Sequence, residues 1–307
     1  MALQTSIFSK HQVYDFITIT DAYLLFRPLS RGRVIVVLDP ILLGRKTDMD
    51  QHDFPETIAA ELRALGIMPG HTVMVHSSLK SLGHIPGGIE TLIQGFFRAI
   101  GTDGTLLMPA LSWRLRPPEI FNSRLTPTDV GAIPEYFRTR KGTSRSVHPT
   151  HSVCAVGRRA QELLNDHRLD CTPCGFHSPF RKLAETEGKI VMLGCGLKPN
   201  TTMHALEEYV EPPYLFRQSC VFTVIDQQGH TCQKEYRTHG FTGYTQRYDK
   251  VQALDSSPFM RRGQVLQATT FVLDAPGLKS VVLRKLKEDP FFFVETLPNQ
   301  ATEGDSK

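Results

Sequence analysis

No apolar run in the 307-residue chain is long enough to cross a bilayer, and no dense stretch of lysine and arginine occurs. The first absence argues against a membrane partner. The second, with a formal charge of only +4, removes the electrostatic signature of nucleic-acid binding. There is no internal repeat and no low-complexity segment. The six cysteines (Cys154, Cys171, Cys174, Cys195, Cys220 and Cys232) are scattered, which reads as reduced thiols in a cytoplasmic protein rather than a disulfide framework.

Several motifs are missing as well. Without a Gly-Lys-Ser/Thr ending there is no Walker A loop, and there is no Rossmann fingerprint. His-Glu-x-x-His is absent, so metalloprotease chemistry has no ligands. Gly-x-Ser-x-Gly is absent too, which weakens a serine hydrolase built from Ser77 or Ser78 with His204.

Residues 1 to about 50 stand apart. "VYDFITITDAYLLF" is interrupted by Asp15 and Asp21 and lacks a small-residue cleavage site, so it is not read as a signal peptide. An added hairpin or strand pair, or a leader without a defined fold, is expected, followed by a polar linker from Arg45 to Asp53. From Phe54 the pattern is regular. "ETIAAELRALG", "GIETLIQGFFRAIG", "TDVGAIPEYFRTR", "RRAQELLNDH", "SPFRKLAETEG" and "APGLKSVVLRKLKED" read as helices. "HTVMVH", "GTLLMPAL", "SVCAVG" and "KIVMLGCG" read as strands, and "CVFTVID" with "TCQKEYRT" as an antiparallel pair turning at Gln228-Gly229. Strands alternating with helices predict a layered α/β fold with some antiparallel strands.

Four stretches carry candidate chemistry. His76 to Gly88 joins a strand to a helix through small polar residues and glycines, which leaves backbone N–H groups free for an anion. Arg145 to Ser152 places one cation, two histidines and hydroxyls in a loop. His167, Cys171, Cys174 and His177 offer a compact set of zinc ligand types. "NTTMHALEE", Asn200 to Glu208, starts a helix with residues that favour the N-cap, and puts His204 in its first turn. Glu207 at i+3 and Glu208 at i+4 both share a face with it. A carboxylate that accepts one ring N–H makes the other nitrogen a better base, while the helix end favours the neutral imidazole.

In their order, "VHSSLKSLGHIPGG", "GTDGTLLMPALSW", "VGAIPEYFR", "RSVHPTHSVCAVG", "SPFRKL", "GKIVMLGCG" and "NTTMHALEE" resemble the aminoglycoside 3-N-acetyltransferases, or antibiotic N-acetyltransferases, from about Glu56 to about Glu288. The resemblance implies a single layered α/β/α catalytic domain over 54–290 with a mixed sheet, distinct from the GCN5-type acetyltransferases. It leaves 1–53 as an N-terminal extension and 291–307 as a tail. It implies acetyl transfer from acetyl-coenzyme A to an amine of an aminoglycoside, with no metal cofactor. Small-molecule substrates are then the only partners expected of a monomer or homodimer.

Residue by residue, the coenzyme loop carries over to Ser77, Ser78, Leu79, Lys80 and Ser81. The pantetheine path carries over to Met108, Pro109 and Ser112, with Ala110 where the family has threonine. The loop near the cofactor carries over to Arg145, Ser146 and His148, and the His-x-x-Glu pair falls on His204 and Glu207. Glu207 rather than Glu208 is then the partner of the base. Asn200, Thr201, Glu208 and Glu211 are expected on the acceptor side, the two acids facing a polycationic sugar. Two rivals remain at this stage: a coenzyme A-dependent transferase acting on a non-antibiotic amine, and a zinc-stabilised binding protein built on Cys171 and Cys174.

Overall fold

The computed structural model describes residues 53–254 and 259–297, together with the backbone of four strands near the N-terminus. Those strands, β1 (Gln4–Ile7), β2 (Val13–Ile19), β3 (Ala22–Leu29) and β4 (Arg33–Val37), pair antiparallel in sequence order. They belong to a unit, Met1–Phe54, distinct from the unit Pro55–Lys307. The expected polar linker lies outside the described residues except for Asp53.

The larger unit is organised by a seven-stranded mixed sheet. In spatial order it runs β14 (Met260–Val265), β15 (Ala268–Asp274), β10 (Lys189–Leu193), β5 (Thr72–Ser77), β6 (Thr105–Pro109), β9 (Val153–Gly157), β8 (Ser144–Arg145). Only β5 is parallel to its neighbours, β10 and β6; every other pair is antiparallel. Met74, Leu107, Ile190, Met192 and Leu273 point to one face, where they pack with Leu163, Phe180, Leu278, Val282 and Leu286 from helices. Val73, Val75, Leu106, Met108 and Val191 alternate to the other face and are equally buried. A sheet buried on both sides explains why these strands read as continuous apolar runs, and it fits the layered arrangement expected from the sequence.

Helix ends follow local rules. Asp274 accepts from the backbone N–H of Gly277 to start the helix Ala275–Glu288, which has proline in its first turn. Ser178 caps the short helix Pro179–Lys182 in the same way, but the expected longer helix changes to a 3₁₀ segment at Leu183–Thr186. Outside the main sheet, β11 (Phe216–Ile225) and β12 (Thr231–His239) form the expected hairpin, with Gly229 at φ +92° in its turn. β7 (Phe121–Asn122) adds to β11, and β13 (Tyr244–Gln246) pairs with β16 (Val294–Thr296), so the tail expected from residue 291 is partly built into the fold.

The parallel pair β5 and β10 ends side by side, which is where open α/β sheets bind ligands. Ser78 donates its backbone N–H to Leu193 O at 2.9 Å, and Ser81 Oγ donates to Gly194 O at 2.7 Å. Gly194 has φ +70°, and a Cβ there would meet Ser81 at 2.6 Å. Only glycine allows this approach of the two strand ends.

One helix contact tests the packing. A Cβ on Gly95, inside the helix Gly88–Ile100, would lie 2.5 Å from Ile58 Cγ2. Alanine would gain about 1 kcal/mol of helix propensity, but overpacking of this kind costs about 1–3 kcal/mol. Gly95→Ala should therefore lower the urea midpoint, whereas a raised midpoint would show that the two helices are loosely packed.

Candidate active site

The helix Thr202–Glu207 begins where the sequence places it. Asn200 Oδ1 accepts from Thr202 N at 3.1 Å, so the asparagine supplies the N-terminal hydrogen bond. His204 then lies at the wall of a cavity of about 750 Å³, and Glu207, with 0% exposure, lies behind it. Both oxygens of Glu207 are occupied: Tyr214 OH donates to Oε1 at 2.9 Å and Tyr248 OH to Oε2 at 2.7 Å.

The direct separation of His204 Nδ1 from Glu207 Oε2 is 3.5 Å, too long for a good hydrogen bond. Tyr248 OH bridges the gap, at 2.8 Å from His204 Nδ1. Burial, followed by the neighbouring Glu207, holds the Tyr248 phenol well above its ordinary pKa, so it keeps its proton. That single proton goes to Glu207, and Tyr248 Oη is left to accept from His204 Nδ1–H. The network thus assigns the Nδ1–H tautomer and leaves the Nε2 lone pair free.

Other histidines crowd the same wall. The ring centroid of His204 lies 6.0 Å from that of His151 and 5.0 Å from that of His239, and those two are 5.2 Å apart. Burial keeps His151 and His239 well below the ordinary histidine pKa, with neighbouring imidazoles adding to the effect. Burial, then His204, lowers His76 to about 3. Glu208 sits beneath His239, taking hydrogen bonds from Thr172 Oγ1 at 2.6 Å and Cys174 N at 2.8 Å. His239 Nε2 lies 2.7 Å from its Oε1. Burial pushes Glu208 up to about 7 despite these donors.

The residues expected to bind the two substrates spread over several places. Ser77, Pro109 and Thr201 line a small cavity of about 70 Å³. Val130, Cys195, Pro199 and Thr201 border both this cavity and the larger one. Leu79 and Lys80 are exposed and line neither of these two cavities, and Ser81 Oγ holds Gly194. Met108 is in the core, and Ser112, Ser146 and His148 are buried. Ser146 Oγ pairs with His167 Nδ1 at 2.9 Å. His148 Nδ1 accepts from His151 N at 3.0 Å.

Arg145 is also buried. Its guanidinium bonds Ser152 Oγ, Ser112 Oγ and the carbonyls of Ala110 and Thr126. Desolvation lowers its pKa to about 10, so it stays charged. Glu208 does not line the cavity, and Glu211 is exposed and paired with Arg237 at 2.8 Å. The cationic residues lining the large cavity are instead Arg116, Lys198 and Arg217, of which Lys198 also acts electrostatically on Asp249.

The possible zinc set falls apart: His167 is bonded to Ser146, His177 Nδ1 lies 2.9 Å from Asp170 Oδ1, and Cys171 is exposed while Cys174 is buried. Sequence reasoning missed Tyr248, Tyr214, His151 and His239 as site residues. Apart from the two histidines noted in the Arg145 loop, no local pattern marks them, because they reach the site from distant segments.

Residues 74–287 match the family described as aminoglycoside 3-N-acetyltransferase. The chain belongs to this family. It is 30% identical over 246 residues to the SPbeta prophage-derived aminoglycoside N(3')-acetyltransferase-like protein YokD of Bacillus subtilis (strain 168), covering 72% of this chain and 88% of that one. It is 28% identical to aminoglycoside N(3)-acetyltransferase IV of Salmonella sp, covering 77% and 88%. The solved structure of AAC-IIIb binary with CoASH superposes with a TM-score of 0.68 at 26% identity, covering 80% of this chain and 98% of that one.

Two measurements test this geometry. Five histidines (His76, His148, His151, His167 and His239) are held below the ordinary value by burial, so the unfolded chain binds more protons than the fold below about pH 6.5. Glu208, raised to about 7, works in the opposite direction but is a single group. Stability should therefore fall as pH drops through 6.5; a urea midpoint that holds or rises between pH 7.5 and 5.5 would contradict the burial of these rings. Arg145→Lys should cost about 2 kcal/mol or more of stability, because lysine cannot reproduce the forked bonds. If that variant keeps its denaturation midpoint but binds coenzyme A weakly, Arg145 belongs to the cofactor site instead.

Proposed function

We propose that His204 Nε2 removes the proton from an acceptor amine as it attacks the thioester carbonyl of acetyl-coenzyme A. Family membership supports an acetyl-coenzyme A-dependent aminoglycoside N-acetyltransferase, with the amino group at the 3-N position of the aminoglycoside as the acceptor. The C–N bond forms, the C–S bond breaks, coenzyme A leaves as the thiol, and the amine's proton passes through His204. A thioester needs no covalent enzyme intermediate.

The observation that carries this reading is the Tyr248 hydroxyl, 2.8 Å from His204 Nδ1 and 2.7 Å from Glu207 Oε2. It fixes the ring so that the bare nitrogen is the one not held by the protein. As His204 becomes an imidazolium, the buried Glu207 carboxylate stabilises the charge through that hydroxyl. Coenzyme A is expected along Ser77, Ser78, Leu79, Lys80 and Ser81, at the paired ends of β5 and β10. Its thioester then reaches the wall shared by the two cavities, where Thr201 stands. Asn200 acts by starting the helix that carries His204.

A second reading rests on the cavity's charge. Arg116, Lys198 and Arg217 line it, and no carboxylate does among the described residues. A polycationic aminoglycoside meets repulsion there, whereas an amine bearing a carboxylate or phosphate meets attraction. The phosphates of coenzyme A are the other anions these side chains could serve.

His204→Ala should lose acetyl transfer by on the order of 10²–10⁴ while still binding coenzyme A. Glu207→Gln should lose about a hundredfold, Tyr248→Phe somewhat less, and Glu208→Gln much less. Near-normal turnover in His204→Ala refutes the base assignment. Equal losses in the two glutamate variants refute the choice between them. Thiol release with a panel of aminoglycosides and of anionic amines separates the two acceptor readings, the first requiring turnover of aminoglycosides at low concentration.

A further inference from the structure

His151, His204 and His239 come from three separate segments: the loop before β9, the helix Thr202–Glu207 and the end of β12. One ring nitrogen of each lies within 4.8 Å of one ring nitrogen of each of the others. The remaining nitrogen of every ring is already held. Thr150 Oγ1 is 2.9 Å from His151 Nδ1, Tyr248 OH is 2.8 Å from His204 Nδ1, and Glu208 Oε1 is 2.7 Å from His239 Nε2. That leaves Nε2 of His151, Nε2 of His204 and Nδ1 of His239. The last is buried and has no hydrogen-bond partner, on a side chain only 7% exposed. An orphaned polar atom at this depth costs free energy unless something occupies it.

We propose that these three nitrogens form a site for a divalent transition ion of the zinc type, and that the ion is a competitor of the reaction rather than its cofactor. Three imidazoles bound tetrahedrally at about 2.0–2.1 Å place their ring centroids about 5 Å apart. The observed separations are 5.0, 5.2 and 6.0 Å, and the ligand nitrogens, now within 4.8 Å of one another, would close to about 3.3 Å on binding. Each ring also has its outer partner in place, the arrangement that orients histidine ligands on a metal, with Glu208 behind His239 as the carboxylate. The fourth position opens into the 750 Å³ cavity, where water completes the shell in the place the acceptor amine would take. An all-nitrogen site favours Zn²⁺ or Cu²⁺ over Mg²⁺ or Ca²⁺.

The inhibitory consequence rests on the reading of His204 as base. An ion on Nε2 takes the lone pair that the amine's proton needs, so metal binding and acetyl transfer exclude each other.

Chelator-stripped full-length protein titrated with Co²⁺ in a non-coordinating buffer tests the site without reference to activity. One Co²⁺ should bind per chain, with the visible absorption of a four-coordinate ion and no thiolate-to-cobalt charge transfer. His151→Gln and His239→Gln should each weaken binding at least tenfold, with folding checked by circular dichroism. A folded protein with no saturable Co²⁺ site, or one whose site shows thiolate ligation and survives both variants, overturns the proposal. Zn²⁺ should then inhibit acetyl transfer competitively against the amine. Stoichiometric Co²⁺ binding through these histidines with turnover unaffected by Zn²⁺ supports the site and overturns the base assignment instead, so the two failures are distinct.

Discussion

A carboxylate with no exposure to water organises the centre of this protein. Glu207 could not sit there without donors for both oxygens, since an unpaired buried charge costs several kcal/mol. Two tyrosine hydroxyls supply them, one from Tyr214 just before β11 and one from Tyr248 at the start of the 3₁₀ segment Tyr248–Leu254. Tyr214 Oη also lies 3.1 Å from Pro290 O, an alternative acceptor for its one proton, which sets the network against the segment after the last helix. Satisfying one acid therefore draws together the helix Thr202–Glu207, the entrance to the hairpin and the C-terminal region. The orientation of His204 is a by-product of that satisfaction.

The second constraint is the concentration of uncharged imidazoles. His148 stacks on His167 at 4.9 Å with an 18° interplanar angle, and His151, His204 and His239 face one another nearby. Such a cluster is tolerable because burial keeps His148, His151, His167 and His239 neutral; protonation of one would raise the cost of charging the next. His151 and His239 line the cavity as well; His204 differs from them in being linked through one tyrosine hydroxyl to the fully buried Glu207. In the proposed mechanism, position rather than residue type separates the base from the structural histidines.

Much of this could be read from the sequence, for definite physical reasons. Apolar runs such as "KIVMLGCG" belong to strands buried on both faces, and the Asp274 and Ser178 caps are local signals with local consequences. The ordered motifs identify the family, and His204 with Glu207 three residues later is visible as one helix face. What stayed hidden is what depends on contacts between distant segments. Tyr248 is 44 residues from His204 and lies in no motif. Arg145 looks like a loop cation for an anion, yet the fold consumes its donors on carbonyls and hydroxyls between β6 and β9. Glu208 looks like an acidic face for a cationic sugar, yet it turns inward to Thr172, Cys174 and His239. Charge read along the chain does not tell which way a side chain points.

The account reduces to one tautomer. Nitrogen-15 chemical shifts of the His204 ring at neutral pH, assigned by comparison with a protein lacking that residue, report which nitrogen carries the proton. The network predicts a protonated Nδ1 facing Tyr248 and a bare Nε2 facing the cavity. A protonated Nε2 with a bare Nδ1 would mean that the ring offers a donor where the amine needs an acceptor, and would contradict the account at its root.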